Sequence, residues 1–251
     1  FCNITAGIGI LENAAPMVQD YYPALTAAAA AGFVGLLSLA NMVGRFIWSS
    51  ASDVIGRKNI YMVYLGVGLI FYFVVASAGH TSLALFVVST LILLTFYGGG
   101  FSTIPAYLRD LFGVYQVGAI HGRLLTAWSA AGVAGPLIIN MVVERQASRG
   151  NAGPELYQLS LYIMCVLLAV GLIANILVKP VHKKWFEDPD KVAAKVEADR
   201  ASARESATTS TGSGAGSLHA LSAVVLAVVI AALLIYGLWE TAVKASQMFA
   251  G

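Results

Sequence analysis

The chain has 251 residues, of which 58% are hydrophobic and only 11% are charged, and its net charge at neutral pH is +2. A soluble domain is about 45–50% apolar and about 25% charged, so this composition excludes an ordinary soluble protein and predicts a polytopic membrane protein. The charges lie between the apolar runs, so we expect no nucleic-acid partner. Cys2 and Cys165 lie in separate runs, which gives no basis for a disulfide or a metal site.

Apolar runs follow one another along the chain, and a helix needs roughly 20 such residues to cross a bilayer. In chain order they are residues 1–18, 24–51, 59–78, 82–107, 117–143, 157–178 and 218–243. The first run opens inside an apolar segment without a charged leader, so we expect an N-terminal part of the protein to precede it. Gly98, Gly99 and Gly100 interrupt the fourth run at mid-membrane depth, where they either provide a bend or a site or allow close packing.

Lysine and arginine predict the orientation of the chain in the membrane, because short loops on the cytoplasmic side carry an excess of these residues. One side carries the larger set, which is Arg57, Lys58, Arg109, Arg123, Lys179, Lys183 and Lys184. We therefore predict that this side is cytoplasmic and that the first and seventh runs both end outside.

A polar stretch separates the sixth and seventh runs. Residues 189–206 are rich in Ala, Lys, Glu and Arg, and Lys195 and Asp199 stand at the i,i+4 spacing that supports an exposed helix. Residues 208–217 are rich in Ser, Thr and Gly and predict a flexible spacer. We therefore divide the chain into a six-helix unit over 1–184, a polar cytoplasmic linker over 185–217, and an extra transmembrane helix within 218–251.

One arginine, Arg45, lies inside the second run, eight residues before the charged loop that begins at Asp53. Eight helical residues place it about 12 Å deeper than that loop. An arginine at a helix centre costs about 2.5–3.5 kcal/mol on insertion scales, so its presence needs a reason. Its guanidinium either extends to the cytoplasmic surface or faces a water-filled cavity and grips an anion through two parallel hydrogen bonds.

Two family resemblances rest on named segments. The segment Ser49-x-x-x-Asp53-x-x-Gly56-Arg57-Lys58 resembles the cytoplasmic loop signature of the major facilitator superfamily, although that signature usually opens with glycine. Three further segments resemble the oxalate/formate antiporter family: Asn41-x-x-Gly44-Arg45-x-x-Trp48, residues 104–113 and residues 121–132. The superfamily has twelve helices in two six-helix halves. The resemblance therefore implies an all-α membrane protein whose residues 1–184 form the C-terminal half, two inverted three-helix repeats, followed by one additional transmembrane helix.

The resemblance also implies roles for single residues. Arg45 matches the carboxylate-binding arginine of the cavity, and Tyr97 and Phe101 match aromatic positions that line it. Trp128 stands where the dicarboxylate exchanger of the family carries a lysine. One arginine balances one carboxylate, and a second carboxylate would be poorly paired in a low-dielectric cavity. We therefore predict a monocarboxylate substrate, with oxalate/formate-type dicarboxylate exchange as the alternative.

Other charged residues have open interpretations. Glu12 is a candidate for carrying a coupled proton, because an apolar surrounding disfavours the charged carboxylate; alternatively it lies near the outer interface and is solvated.

In the family, the cluster of Asp53, Gly56, Arg57 and Lys58 is a gating loop that latches the helices in one state. Control of topology by positive charge alone would explain Lys58 but not the spaced Asp53 and Gly56. We also expect Asp110 to pair with Arg123.

Three function classes compete. The first is a secondary transporter of small organic anions in the inner cell membrane, working by exchange or proton symport with alternating access. The second is a seven-helix receptor or retinal protein, suggested only by the number of runs; a retinal protein would need a lysine midway along the last run, where Lys244 instead lies at its end. The third is a membrane enzyme, for which we find no nucleophile elbow, phosphate loop or metal cluster. We therefore predict a transporter that is not an enzyme and needs no cofactor, and whose partners are the anion, the bilayer and an N-terminal half.

Overall fold

The computed structural model describes residues 1–179, 181 and 189–210, together with the isolated positions 225, 228, 231, 232 and 236. Every regular element in this part of the chain is helical. The elements in chain order are α1 (Cys2–Tyr21), α2 (Ala27–Ile55), α3 (Arg57–Ala78), a 3₁₀ turn (Gly79–Thr81), α4 (Leu83–Phe112), α5 (Val117–Ala147), α6 (Glu155–Leu177) and α7 (Pro189–Ser210). The predicted all-α class is confirmed.

Five segments among the described residues are long and apolar enough to cross a membrane. They are Ala27–Ile55, Arg57–Thr81, Leu83–Phe112, Val117–Ala147 and Glu155–Leu177. Helix α1 is not among them, and it packs against α2, α4, α5 and α6. The first unit, Phe1–Val181, is thus a bundle of six helices.

The pairing of the six helices shows the internal symmetry that the two inverted repeats predict. The most extensive contacts join α2 with α4, α3 with α6, and α1 with α5. If α1, α2 and α3 are exchanged with α4, α5 and α6 respectively, the α1–α5 pair becomes the α4–α2 pair, and the α3–α6 pair is unchanged. The bundle therefore has the architecture of a six-helix half built from two three-helix repeats.

A single residue, Gly56, separates α2 from α3. Its φ of +92° lies in the left-handed region, which costs a side-chain-bearing residue energy and which glycine adopts freely. Asp53 belongs to the last turn of α2, and Arg57 opens α3. The sequence-based description of residues 53–58 as a loop is therefore wrong, because both helices continue past the apolar runs and only Gly56 is non-helical.

The three consecutive glycines do not interrupt α4, which runs as one helix from Leu83 through Pro105 to Phe112. Each glycine instead meets another helix. A Cβ on Gly98 would lie 2.1 Å from the Asn41 carbonyl oxygen, and one on Gly100 would lie 2.4 Å from the Asn3 side chain. A Cβ on Gly99 would lie 2.7 Å from both Trp48 Cβ and the Tyr64 hydroxyl. The triplet therefore serves close packing rather than a break in the helix.

The second unit, His182–Gly251, contains α7. The predicted exposed helix within the linker is confirmed, since most of its described side chains are exposed. The helix ends at Ser210, so the first three residues of the predicted spacer are helical. The remainder of the spacer and the seventh apolar run lie outside the described residues, apart from the five isolated positions.

Candidate functional site

Arg45 lies on α2 and reaches toward α4. Its Nε donates a hydrogen bond to Asn41 Oδ1 at 3.2 Å, one turn earlier on the same helix. Its Cζ lies 5.0 Å from the centroid of the Phe101 ring, the distance of a cation–π contact. Within the described part of the chain, its two terminal amino groups have no hydrogen bond or ion pair. Arg45 is exposed, so its charge is available to a ligand.

Phe101 connects this guanidinium to further aromatic rings on α4 and α5. Phe101 meets Trp128 edge to face, with ring centroids 4.4 Å apart, and Tyr97 lies 5.8 Å from the same indole ring. The structure therefore brings Arg45, Tyr97, Phe101 and Trp128, which three helices contribute, into one cluster. A cation beside an aromatic wall suits an organic anion, because the cation orients the charge and the rings cover the carbon body.

Glu12 lies on α1 and is exposed. Helix α1 packs against α2, the helix that carries Arg45. No ion pair joins Glu12 to Arg45 among the described residues. Arg45 therefore does not neutralise this carboxylate within the described structure.

Arg57 is the centre of the charged junction between α2 and α3. It pairs with Asp53 and Ser52 on α2, and its Nε lies 3.6 Å from Asp110 Oδ2 on α4. The predicted pairing of Asp110 with Arg123 is wrong, because Asp110 lies against Arg57 and its neighbour Arg109. The Arg57 side chain is only 11% exposed, so the junction ties α2, α3 and α4 together at one end of the bundle.

Lys58 joins this junction to α6. Its Nζ donates to the carbonyl oxygens of Ile176 and Val178 at 2.9 and 2.7 Å. Asn175 Nδ2 returns a hydrogen bond to the Lys58 carbonyl oxygen at 3.0 Å. A cation is favoured at a helix C-terminus, where unpaired carbonyl groups carry partial negative charge. Lys58 thus caps α6, which charge-based topology control alone would not require.

A cavity of about 140 Å³ lies between α1, α3, α4 and α5. Phe101 and Trp128 form part of its wall, so it borders the aromatic cluster around Arg45. His121, one turn into α5, lines it as well, and the Nδ1 atom of this residue is buried without a hydrogen-bond partner in the described structure.

Sequence reasoning did not assign two of these residues. The first is Asn41, which makes two contacts in the structure. Its side chain accepts a hydrogen bond from Arg45, and its carbonyl group lies against Gly98. The i,i+4 spacing of Asn41 and Arg45 on one helix could have indicated the first contact. No signal in the sequence could have placed His121 beside the cavity, because that depends on how α1, α3 and α4 pack around α5.

Comparison with known families identifies the chain. The model of the Major Facilitator Superfamily matches residues 4–249, nearly the whole sequence. No curated protein matches the chain. The matched region contains the six-helix bundle, its charged junction at Gly56 and the cluster around Arg45. The chain belongs to the Major Facilitator Superfamily and is a multi-pass membrane transporter with the fold of a six-helix half of that family.

Proposed function

We propose that the protein is a secondary transporter of small organic anions, and that its preferred substrates are monocarboxylates. One observation carries the proposal: the Arg45 guanidinium, within a membrane-crossing helix, is held by Asn41 and Phe101 while its terminal amino groups have no partner among the described residues. A guanidinium fixed through Nε presents its remaining donors to a carboxylate as a planar fork.

The charge balance of the cluster supports the monocarboxylate. Trp128 packs edge to face against Phe101, so an apolar ring lies where a second cation would be needed for a dicarboxylate. A carboxylate that enters a low-dielectric site without a nearby cation loses far more hydration energy than it gains from attraction to distant charges. Dicarboxylate exchange of the oxalate/formate type therefore remains the alternative, and it requires a cation from another part of the protein.

We propose that transport proceeds by alternating access between this half and a second six-helix half, as exchange or as proton symport. Glu12 is the candidate for carrying a coupled proton, because it is an exposed acid on α1, which packs against α2, the helix of Arg45. Asp53, Gly56, Arg57 and Lys58 form the gating element in this proposal. Their hydrogen bonds and ion pairs to α2, α4 and α6 would hold these helices together in one state of the transport cycle and release them in the other. The cellular site of this activity would be the inner cell membrane, with the Gly56 junction on the cytoplasmic side.

Transport competition in vesicles tests the substrate class. Vesicles containing the complete protein should take up labelled lactate or pyruvate, and unlabelled lactate, pyruvate and formate should compete. Oxalate at the same concentration should compete at least about tenfold less well, because its second charge has no partner. Empty vesicles are the control. Stronger competition by oxalate than by any monocarboxylate would favour the dicarboxylate alternative.

Trp128→Lys should shift this preference. The lysine places a second cation near Arg45, so oxalate competition should improve by about tenfold, while lactate competition weakens because an apolar contact is lost. Trp128→Leu removes the ring without adding charge and is the matched control. If oxalate competes equally poorly with both variants, the argument from one positive charge is wrong.

A further inference from the structure

The cavity next to the Arg45 cluster combines apolar walls with one unsatisfied polar group. Ile4, Ile104, Leu124 and Leu125 supply aliphatic walls, in addition to Phe101 and Trp128. The neighbouring polar side chains are already paired: the Tyr61 hydroxyl donates to the Gly100 carbonyl oxygen at 2.5 Å, and Asn3 Nδ2 donates to the Phe96 carbonyl oxygen at 3.2 Å. His121 Nδ1 is left buried without a partner within the described residues.

A buried imidazole nitrogen without a partner costs about 1–3 kcal/mol, so an occupant that hydrogen-bonds it is expected. A cluster of water molecules fits poorly, because each buried water needs 2–4 polar partners and these walls are mostly apolar. An apolar cavity of about 150 Å³ in another protein binds benzene. The volume here, about 140 Å³, therefore suits a body of five or six carbons that ends in a single polar group.

The position of the cavity links it to the transport site. Phe101 contacts the Arg45 guanidinium on one side and also lines the cavity. His121 precedes Trp128 by two helical turns on the same face of α5, a separation of about 10 Å. A ligand whose carboxylate lies on Arg45 would thus direct its carbon body past Phe101 and Trp128 toward His121.

We propose that this cavity is a second subsite of the transport site, that it takes the hydrocarbon body of the substrate, and that His121 hydrogen-bonds a polar group at the far end. The preferred substrates are then monocarboxylates with a body of five or six carbons and a terminal hydroxyl or carbonyl oxygen. This inference rests on the proposed function, because it requires Arg45 to hold the carboxylate.

Equilibrium binding of acids to the purified complete protein tests the subsite by calorimetry. From acetate through butyrate to hexanoate, the dissociation constant should fall by about fourfold for each added methylene group until the cavity is filled. Ala127 also lines the cavity, and Ala127→Leu should remove the gain beyond butyrate while leaving acetate binding within about twofold. Ala119→Leu makes the same change at an exposed position of α5 that does not line the cavity, and it should preserve the full series.

The role of His121 has a separate readout. 6-Hydroxyhexanoate should bind the unmodified protein more tightly than His121→Leu by about tenfold, whereas hexanoate should bind the two proteins nearly equally. His121→Asn, which keeps a hydrogen-bonding group, should recover part of the difference. An equal loss for both acids would overturn the assignment of His121.

The two proposals fail in different ways. If acids bind in an Arg45-dependent manner but with the same affinity at every chain length, the cavity is not a subsite, and the carboxylate site remains. If none of the acids binds and Arg45→Gln changes nothing, the proposed function itself fails and the subsite fails with it.

Discussion

Arg45→Gln should abolish uptake of labelled monocarboxylate by vesicles that contain the complete protein, while the amount of protein in the membrane stays the same. Glutamine keeps a hydrogen-bonding side chain of similar shape but removes the charge. The substrate carboxylate would then enter a low-dielectric site with no cation to balance it. Hydrogen bonds to charged groups contribute about 1.5–3 kcal/mol, so losing the pair corresponds to a fall in affinity of roughly 100-fold.

Two matched variants separate this effect from a general loss of charge. Arg45→Lys keeps the positive charge but not the planar fork, so it should retain weak uptake that lies between the two extremes. Arg109→Gln makes the same chemical change at a side chain that is 55% exposed and is 3.9 Å from Asp110. An exposed ion pair contributes little to stability, so uptake by the Arg109→Gln variant should stay within about twofold of that by the unmodified protein. Uptake by Arg45→Gln equal to that of Arg109→Gln would refute the proposed role of Arg45.

The helices were predictable because their apolar runs are long, and the structure places a helix on each of the first six. Their ends were less predictable, since hydropathy marks where a chain meets the bilayer rather than where its helix stops. Helix α2 continues through Ser52 and Asp53 to Ile55, although both of those residues are polar. What ends it is the backbone conformation of Gly56, which hydropathy does not report.

The candidate site likewise contains residues that the sequence predicted and contacts that it did not. Arg45 was conspicuous as a charge in an apolar run, and family resemblance placed Tyr97, Phe101 and Trp128 around it. The partner of Asp110 was not predictable, because three cations, at positions 57, 109 and 123, were available in the sequence. The packing of α3 against α4 decides which one it meets. Contacts of this kind depend on how closely two helix backbones approach, and that distance is set by the glycines at their crossing.

Gly98→Ala should destabilise the protein and disturb the site together. A Cβ at this position would lie 2.1 Å from the Asn41 carbonyl oxygen, and one at Gly44 on the facing helix would lie 2.3 Å from the Thr95 carbonyl oxygen. These obstacles are backbone atoms, so α2 and α4 must separate rather than let a side chain rotate. Inserting a methyl group into a close-packed contact typically costs about 1–3 kcal/mol. We expect a lower thermal unfolding midpoint for the purified protein in detergent.

The same substitution at Gly32 provides the control, because it adds a methyl group to α2, the helix that packs against Gly98, at a position where no atom lies within 4 Å of the new Cβ. Alanine is favoured over glycine in a helix by about 1 kcal/mol, so Gly32→Ala should leave the midpoint unchanged or raise it. Asn41 connects the packing to the site, since its side chain holds Arg45 while its backbone lies against Gly98. Gly98→Ala should therefore also weaken acid binding, even at temperatures where it remains folded. A Gly98→Ala protein as stable and as active as Gly32→Ala would show that the α2–α4 contact neither limits stability nor positions the arginine.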